Sequence, residues 1–251
     1  MLAAERHQTI TQLLRQQSTV HIDELIARLG VSESTVRRDL EHLEQQGILK
    51  RTYGGAVAIQ PGFDTLQIGF FALSAAQMRI GAAAAQQIGD GETVFLGPGA
   101  ISLAVAHHLD GKLACTVVTN CLNIATCLAR QAQQNVILTG GQIDRPDLSL
   151  VGHLAEASLR ELRADKAIIG VRGLHLPDGL TATSLPAVQV LRTAIEMVSE
   201  VIIVLEASQW GSRGPAFLAP LEAIDIVVTD QDAPPAMVWD LVQLGIRVIQ
   251  S

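Results

Sequence analysis

Aromatic side chains are scarce in this sequence of 251 residues, at 3%, although apolar residues as a whole make up 48%. Its core must therefore be built from aliphatic side chains. Charged residues account for only 17%, and a chain this apolar and weakly charged is expected to fold rather than remain disordered. The 21 glycines and the many short runs of Val, Ile and Leu favour an α/β fold over a helical bundle.

The sequence also lacks a run of the ~18 apolar residues that would span a bilayer. Its first residues, MLAAERHQTITQLL, include charges and glutamines where a signal peptide would carry an apolar segment. We therefore expect a cytoplasmic protein with no membrane partner. Cysteine is equally sparse, because Cys115, Cys121 and Cys127 are an odd number at a spacing of six that matches no metal motif. They are expected to be free, buried thiols, and no metal site is predicted.

Positive charge is in the minority overall, with a net charge of −7, but it is unevenly distributed. Residues 1–58 contain seven Lys or Arg and seven Asp or Glu, so the whole excess of acid lies in residues 59–251. An acidic surface is repelled by phosphates. If the chain binds nucleic acid, the contact must come from its first part.

Three segments at the start of the chain have the apolar spacing of amphipathic helices. They are residues 5–17, Ile22–Leu29 and Ser32–Gln46. Gly30 suits the end of the second helix, and Ser32 is a good N-cap for the third. An extended hairpin should follow over residues 48–59, so the pattern predicts a winged helix-turn-helix.

The third helix is predicted to enter the major groove of DNA, because the second helix of a helix-turn-helix does so with its first turns. Arginine can recognise guanine there or bind phosphate, and the wing is suited to contacts with the DNA backbone. Taken alone, an Arg-Arg pair would favour a solvated helix face in a small packing domain, and it is the turn, the cap, the hairpin and the charge distribution that together favour DNA binding. The predicted DNA-binding residues are Ser32, Glu33, Ser34, Thr35, Arg37 and Arg38 on the helix, and Lys50, Arg51 and Tyr53 on the wing.

This region, ERHQTITQLL followed by IDELIARLGVSESTVRRDLEHLEQQGILKRTYGGAV, closely resembles the N-terminal domain of the DeoR family of bacterial repressors. The resemblance implies a winged helix-turn-helix followed by a sensor domain similar to sugar-phosphate isomerases. It further implies release from double-stranded operator DNA when a small effector binds, and assembly into homodimers or tetramers.

Helical and strand patterns alternate through the second part of the chain, which predicts a Rossmann-like, mostly parallel α/β sensor domain. The expected domains are residues 1–59 for DNA binding and 75–251 for sensing and oligomerisation, joined by a linker and lead-in at 60–74. In such sheets, ligands bind where the strands end at their carboxyl side. The loop at 97–102 joins a strand to a helix N-terminus and could hold an anion.

Family landmarks continue as far as Asp230, and they locate the expected effector site. The predicted effector-binding residues are Gly97, Gly99, Ala100, Ile101, Ser102, Thr119, Asn120, Gly140, Gly141, Arg172, Gly173 and Gln209.

Several residues of this region depart from the family pattern. Gly97, Ala100 and Ile101 replace polar residues, and lysines are lost at Gln77, Leu191 and Gln209. These losses argue against a phosphorylated sugar. The hypothesis is a less charged metabolite, or an anion held by Arg172, while Arg79 and Arg192 are expected to be ordinary surface arginines.

Two classes of function remain open at this stage. The first is a regulator, most simply a repressor of a carbohydrate or related catabolic operon; the sequence does not exclude an activator or architectural protein, since the position of the binding site decides this. The alternative is an isomerase-like enzyme with an added DNA-binding head. No positioned base is evident near the 97–102 loop and no Ser-His-Asp spacing is recognisable, so an enzyme is not expected. A nicotinamide cofactor is not expected either, because Ser102 stands in place of the third glycine of GxGxxG.

Overall fold

The computed structural model of the protein describes residues 6–7, 9–11, 13–14, 19–45, 49–52, 54–58, 73–109, 114–131, 134–145 and 147–251. The chain forms two compact units, Met1–Gln67 and Ile68–Ser251. The division falls within the segment predicted as linker and lead-in, most of which lies outside the described residues. Within the described ranges, no helix is both long and apolar enough to cross a membrane.

The first unit is a small helical domain with a three-stranded antiparallel sheet. Residues 6–7, 9–11 and 13–14 are helical. The elements that follow are β1 (Thr19–His21), α1 (Ile22–Leu29), α2 (Glu33–Gln45), β2 (Leu49–Thr52) and β3 (Gly55–Ala58). Strand β3 lies between β1 and β2 in the sheet. The predicted helices and the β2–β3 hairpin are present, whereas β1, only three residues long, was not predicted.

The core of this unit is aliphatic, as the composition requires. Its fully buried members include Ile10, Leu25, Val36, Leu40 and Leu49. They come from each helix and from the wing. The apolar faces of the three helices therefore fix how α2 is held.

A seven-stranded parallel sheet forms the centre of the second unit, in the order β15-β14-β12-β9-β4-β5-β6. Its strands are β4 (Thr93–Leu96), β5 (Thr116–Thr119), β6 (Asn135–Leu138), β9 (Ala164–Gly170), β12 (Val198–Val204), β14 (Ile226–Thr229) and β15 (Arg247–Gln250). The helices are α3 (Ala75–Ala85), α4 (Ala100–His108), α5 (Leu122–Leu128), α6 (His153–Arg160), α7 (Leu185–Glu196) and α8 (Pro235–Gln243). The predicted mostly parallel α/β sensor fold is confirmed.

Both faces of this sheet are covered by apolar side chains. On β4, Phe95 packs into one core cluster while Val94 and Leu96 pack into the other. On β9, Ile169 and Ile168 divide in the same way. Successive side chains of a strand point to opposite faces, so continuous apolar runs of this kind are typical of a sheet buried on both sides.

Two small antiparallel sheets complete the unit. Strands β7 (Gln142–Asp144) and β8 (Ser149–Val151) form a hairpin, and β11 (Gly179–Ala182) lies between β10 (Gly173–His175) and β13 (Ala216–Ala219). None of these five strands was predicted, because each spans only three or four residues and lacks a long apolar run.

The three cysteines, all within the described segments, are thiols that form no disulfide, as predicted. Cys115 and Cys121 are buried, and burial is the main cause of the raised pKa of each thiol. Both are therefore protonated and unreactive at neutral pH. The predicted burial is wrong for Cys127, which is only half-buried, with its Sγ 3.6 Å from Nδ1 of His107.

Candidate functional site

A tight turn joins α1 to α2 in the first unit. Gly30 ends α1 in the left-handed conformation, at φ 65°, and its N–H donates to the carbonyl of Ile26 at 3.0 Å. Glycine adopts this conformation without steric cost. Ser32 then accepts the backbone N–H of Thr35 through its Oγ, at 3.4 Å, in agreement with its predicted capping role. The local sequence thus sets where α2 begins.

One face of α2 packs into the core and the other is exposed. Val36, Leu40 and Leu43 are buried. Exposed on the opposite side, or half-buried in the case of Thr35, are the predicted DNA-binding residues of the helix, Ser32, Glu33, Ser34, Thr35, Arg37 and Arg38. The exposed face of α2 therefore combines short polar side chains with two arginines that a partner can contact.

The two arginines of α2 differ in their surroundings. The Arg37 guanidinium forms an ion pair with Glu33, one turn earlier, at 2.7 Å, and both side chains are more than half exposed. Exposed i,i+4 pairs of this kind contribute only a few tenths of a kcal/mol, so a phosphate or a base can readily displace Glu33. Arg38 is exposed and has no hydrogen-bond partner among the described residues.

The wing is tied to α2 by Arg51. Its Nε donates to the Glu44 carboxylate at 2.6 Å, and its backbone N–H donates to the same carboxylate at 2.8 Å. The hydrogen bond to Glu44 is the main cause of the raised pKa of the Arg51 guanidinium. Arg51 therefore positions the wing as well as being a predicted DNA contact. The side chain of Lys50 and the whole of Tyr53 lie outside the described residues.

A buried carboxylate that no sequence pattern indicated anchors α2. Asp39 is only 5% exposed and accepts hydrogen bonds from Arg6 Nε at 2.6 Å, from Arg6 Nη2 at 3.0 Å and from His7 at 3.0 Å. Burial acts to raise the pKa of Asp39, but the hydrogen bonds and charges of Arg6 and His7 outweigh it, so the pKa is lowered. The cluster fastens the first helical segment to α2.

Replacing Asp39 by Asn should lower the stability of the first unit, by about 1–3 kcal/mol, because charge-assisted hydrogen bonds are lost in a buried place. The depressed pKa predicts that the stabilisation by Asp39 is complete above the unfolded-state value near ~4. It should be lost as the pH falls through the lower folded-state value. Urea unfolding of both proteins across this range measures the effect. Equal stability of Asp39→Asn and the parent at pH 7 would contradict the anchoring role.

A cavity of about 320 Å³ opens in the second unit where three parallel strands end. It is lined by the segments that follow β4, β9 and β12. The order of strands reverses between β4 and β9, since β5 and β6 extend the sheet on one side of β4, and β9 begins the other side. The cavity therefore lies at the topological switch point, where ligands of open α/β sheets bind.

Part of the cavity wall is the start of α4. Gly99 is its N-cap, with φ at 129°, and Ala100 and Ile101 form the first turn. The first N–H groups of a helix have no partner within the helix, and the helix dipole favours a negative group near them. This end of the cavity is therefore suited to an oxygen-rich or anionic ligand.

Comparison with known families agrees with this arrangement of domains. Residues 6–61 match the DeoR-like helix-turn-helix domain, and residues 74–231 match the DeoR C-terminal sensor domain. The chain belongs to the DeoR family. The resemblance seen in the sequence is thereby confirmed, and with it a DNA-binding helix-turn-helix followed by a sensor domain.

Relatives of comparable length are regulators of transcription. The glycerol-3-phosphate regulon repressor of Escherichia coli (strain K12) is 31% identical over 94% of this chain and 93% of its own length. The transcriptional repressor AccR of Agrobacterium fabrum is 31% identical over 90% and 89%. Among solved structures, the sorbitol operon regulator SorC of Klebsiella pneumoniae is 12% identical over 94% and 97%, with a TM-score of 0.43. This DeoR-family chain is accordingly a DNA-binding regulator of transcription rather than an enzyme.

In this DeoR-family sensor, the residues predicted to bind effector are only partly brought together. Five of them line the cavity: Gly99, Ala100, Ile101, Arg172 and Gln209. The other seven do not line it: Gly97, Ser102, Thr119, Asn120, Gly140, Gly141 and Gly173.

Some of those seven have a structural role instead. Thr119 Oγ1 donates to the carbonyl of Leu96 at 2.7 Å, and Asn120 Nδ2 donates to the carbonyl of Leu150 at 3.0 Å. A Cβ on Gly173 would lie 2.2 Å from the carbonyl oxygen of Ser212, so glycine there allows two segments to approach closely. These contacts hold neighbouring strands and segments of the second unit together.

The residues that stand where the family pattern has lysines also have defined contacts. Gln77 Nε2 donates to the Glu206 carboxylate at 2.6 Å, and Gln209 Nε2 donates to the carbonyl of Val171. Leu191 contributes an apolar surface to the cavity. Arg192 donates to the carbonyls of Phe217 and Leu218, at 2.7 and 2.9 Å, and does not line the cavity. Sequence reasoning missed Asp147 and Thr183, which line it from loops with no motif of their own.

Proposed function

We propose that this regulator represses a carbohydrate or related catabolic operon by binding double-stranded operator DNA through α2, in the cytoplasm. The exposed face of α2, with Arg37 and Arg38 above a rigid buried face, is the observation that carries this proposal. A helix held in this way is suited to the major groove, where arginine distinguishes guanine by two hydrogen bonds. Relatives named as repressors support repression, rather than activation, of transcription.

The direct test is to map the binding sites of the full chain across the genome of its host. We expect a few discrete sites that share an inverted repeat, next to genes of catabolism. Deleting the regulator gene should raise their transcription. Binding without sequence preference, or a fall in transcription upon deletion, would contradict a repressor.

Control by a small metabolite is the second part of the proposal. The cavity at the sheet switch point is the proposed effector site, with Gly99, Ala100, Ile101, Arg172 and Gln209 among its walls. An effector shifts the protein away from the DNA-bound state only if it binds the DNA-incompetent state more tightly. The proposal therefore needs no enzymatic turnover.

We further propose that the second unit assembles the chain into a homodimer or homotetramer. Large apolar side chains are exposed on it, and they include Leu154 at 65%, Leu185 at 67% and Trp239 at 63%. Contiguous exposed apolar surface is typical of protein–protein contacts, and we propose that these side chains contribute to such a surface. Closed homo-oligomers would also present recognition helices in pairs to an inverted repeat.

Sedimentation equilibrium of the full chain should give a mass of two or four times the 26.7 kDa of one chain. The mass should be retained at high salt, because apolar contacts are not screened by ions as charges are. A species of 26.7 kDa at micromolar concentration would contradict the proposed assembly.

A further inference from the structure

The charged groups of the cavity limit which ligand it can hold. Of the described residues that line it, three carry a formal charge at neutral pH: Arg172, Asp147 and Glu206. The lining therefore has one positive and two negative groups. A phosphate ester brings roughly 1.5 to 2 further negative charges at pH 7. In a partly desolvated cavity, repulsion between such a dianion and two carboxylates is stronger than in bulk water.

Arg172 is the cation available to a ligand in this cavity. Its guanidinium forms no hydrogen bond with any described residue, and only its backbone N–H is engaged, with the carbonyl of Thr181 at 2.8 Å. Its stem passes close to Gly214, where an added Cβ would lie 3.1 Å from both Cβ and Cγ of Arg172. The planar, two-pronged guanidinium matches one carboxylate well.

The two carboxylates are held in place but retain free acceptor capacity. The Glu206 carboxylate accepts hydrogen bonds from Gln77 Nε2, at 2.6 Å, and from the backbone N–H of Gln209. Asp147 Oδ1 accepts the backbone N–H of Ser149 at 3.0 Å. Each carboxylate offers about four lone pairs and has no proton to give when ionised. Fixed acceptors of this kind are complementary to hydroxyl groups, which donate to them.

The size of the cavity and its hydroxyl side chains favour a small ligand rich in oxygen. Its volume of about 320 Å³ is at the lower end for ligand sites. Thr183 and Ser208 add hydroxyl groups to the lining, while Leu191 leaves apolar the position where a lysine was expected. The start of α4 favours one anionic group on the ligand, whether a carboxylate or a phosphate. The carboxylates of Asp147 and Glu206 disfavour any further negative charge on the ligand.

We infer that the cavity binds a sugar acid, meaning a chain of about four to six carbons with one carboxylate and several hydroxyls, in preference to a sugar phosphate. The carboxylate binds Arg172 near the start of α4, and the hydroxyls donate to Asp147 and Glu206. That this ligand is the effector rests on the proposed function, but its binding to the cavity does not.

Calorimetry on the full chain tests the inference with matched ligands of four, five and six carbons. Each set contains the sugar acid, the sugar phosphate and the neutral polyol, such as gluconate, glucose 6-phosphate and sorbitol. We expect the tightest ligand to be a sugar acid, and to bind at least tenfold more tightly than its own phosphate and polyol. A phosphate or polyol that binds as tightly as the acid overturns the inference, as does the absence of binding at millimolar concentrations.

Three substitutions locate the binding. Arg172→Ala should weaken binding of the tightest acid at least tenfold, whereas Arg79→Ala, an exposed arginine outside the cavity, should leave it unchanged. Glu206→Gln should narrow the preference for acid over phosphate by about tenfold, because the repelling charge is removed at constant size. If Glu206→Gln and the parent prefer acid over phosphate by the same factor, the negative charge of Glu206 does not exclude phosphate.

Operator binding of the same protein, measured by fluorescence anisotropy, separates the two proposals. Loss of operator affinity upon addition of the acid supports both the binding of a sugar acid in the cavity and the release of the repressor by that ligand. An acid that binds with the expected preference but leaves operator affinity unchanged supports the cavity assignment and contradicts release by this ligand. A chain that does not recognise DNA at all contradicts the proposed function alone.

Discussion

Replacing both Arg37 and Arg38 by alanine is expected to weaken binding to operator DNA by about 100-fold or more. A good bidentate contact between arginine and guanine is worth roughly 1–3 kcal/mol, and about 1.4 kcal/mol corresponds to tenfold in affinity. Both side chains are exposed on the face of α2 away from the core, so the change should leave the fold intact. Anisotropy titrations with a labelled operator measure the loss, and circular dichroism confirms the fold.

Arg160→Ala is a matched control, because Arg160 is also exposed and pairs with a glutamate one turn earlier, Glu156, at 3.1 Å. It removes the same kind of ion pair from the sensor unit, together with one of the two positive charges that the double variant loses. Its operator affinity should stay close to that of the parent. If Arg160→Ala and the double variant lose affinity equally, the effect is one of overall charge and the assignment of α2 fails.

A second large effect is expected from Leu40→Ala. Leu40 is 1% exposed in the core of the first unit, and deleting such a side chain costs about 2–5 kcal/mol. A domain of about 60 residues is only marginally stable. The substitution should therefore unfold much of the first unit near 37 °C and abolish operator binding. Calorimetric unfolding should show that the transition of the sensor unit is unchanged, because the two units have separate cores.

Glu41→Ala serves as the control for this experiment. Glu41 is exposed on the same helix, and its loss should change stability by no more than about 0.5 kcal/mol. Two outcomes would contradict the prediction that Leu40 stabilises the first unit alone. One is a Leu40→Ala protein that melts like the parent, and the other is one whose sensor unit is destabilised to the same extent.

The main elements of the fold could be predicted because their signals are local. Strands such as β4 and β9 contain continuous apolar runs, Val94–Leu96 and Ala167–Ile169, and α1 ends at a glycine that suits the left-handed conformation. The strands that were missed, such as β1 and β13, have three or four residues each, and they form because a partner strand distant in sequence offers backbone hydrogen bonds. Pairing of that kind leaves no periodic pattern in a short segment.

The residues of the candidate sites also divide into those with a local sequence signal and those brought together only by the tertiary fold. The start of α4 was predicted to line the cavity because a strand, a glycine turn and a helix are consecutive in the chain. Asp147 and Thr183 belong to loops that reach the cavity only through the tertiary fold. Asp39 was missed for a related reason, since its partner Arg6 lies 33 residues away and a single acid on a polar helix gives no hint of burial.

The central claim is that α2 recognises the operator by its bases, and one measurement tests it most directly. The affinities of the parent, Arg37→Ala and Arg38→Ala are compared on the mapped operator and on a set of its single-base variants. Our account predicts that at least one substitution removes the discrimination at a single base pair, at a cost of about 1–3 kcal/mol on the parent operator. If both variants retain the affinity and the full base preference of the parent, α2 is not the recognition helix.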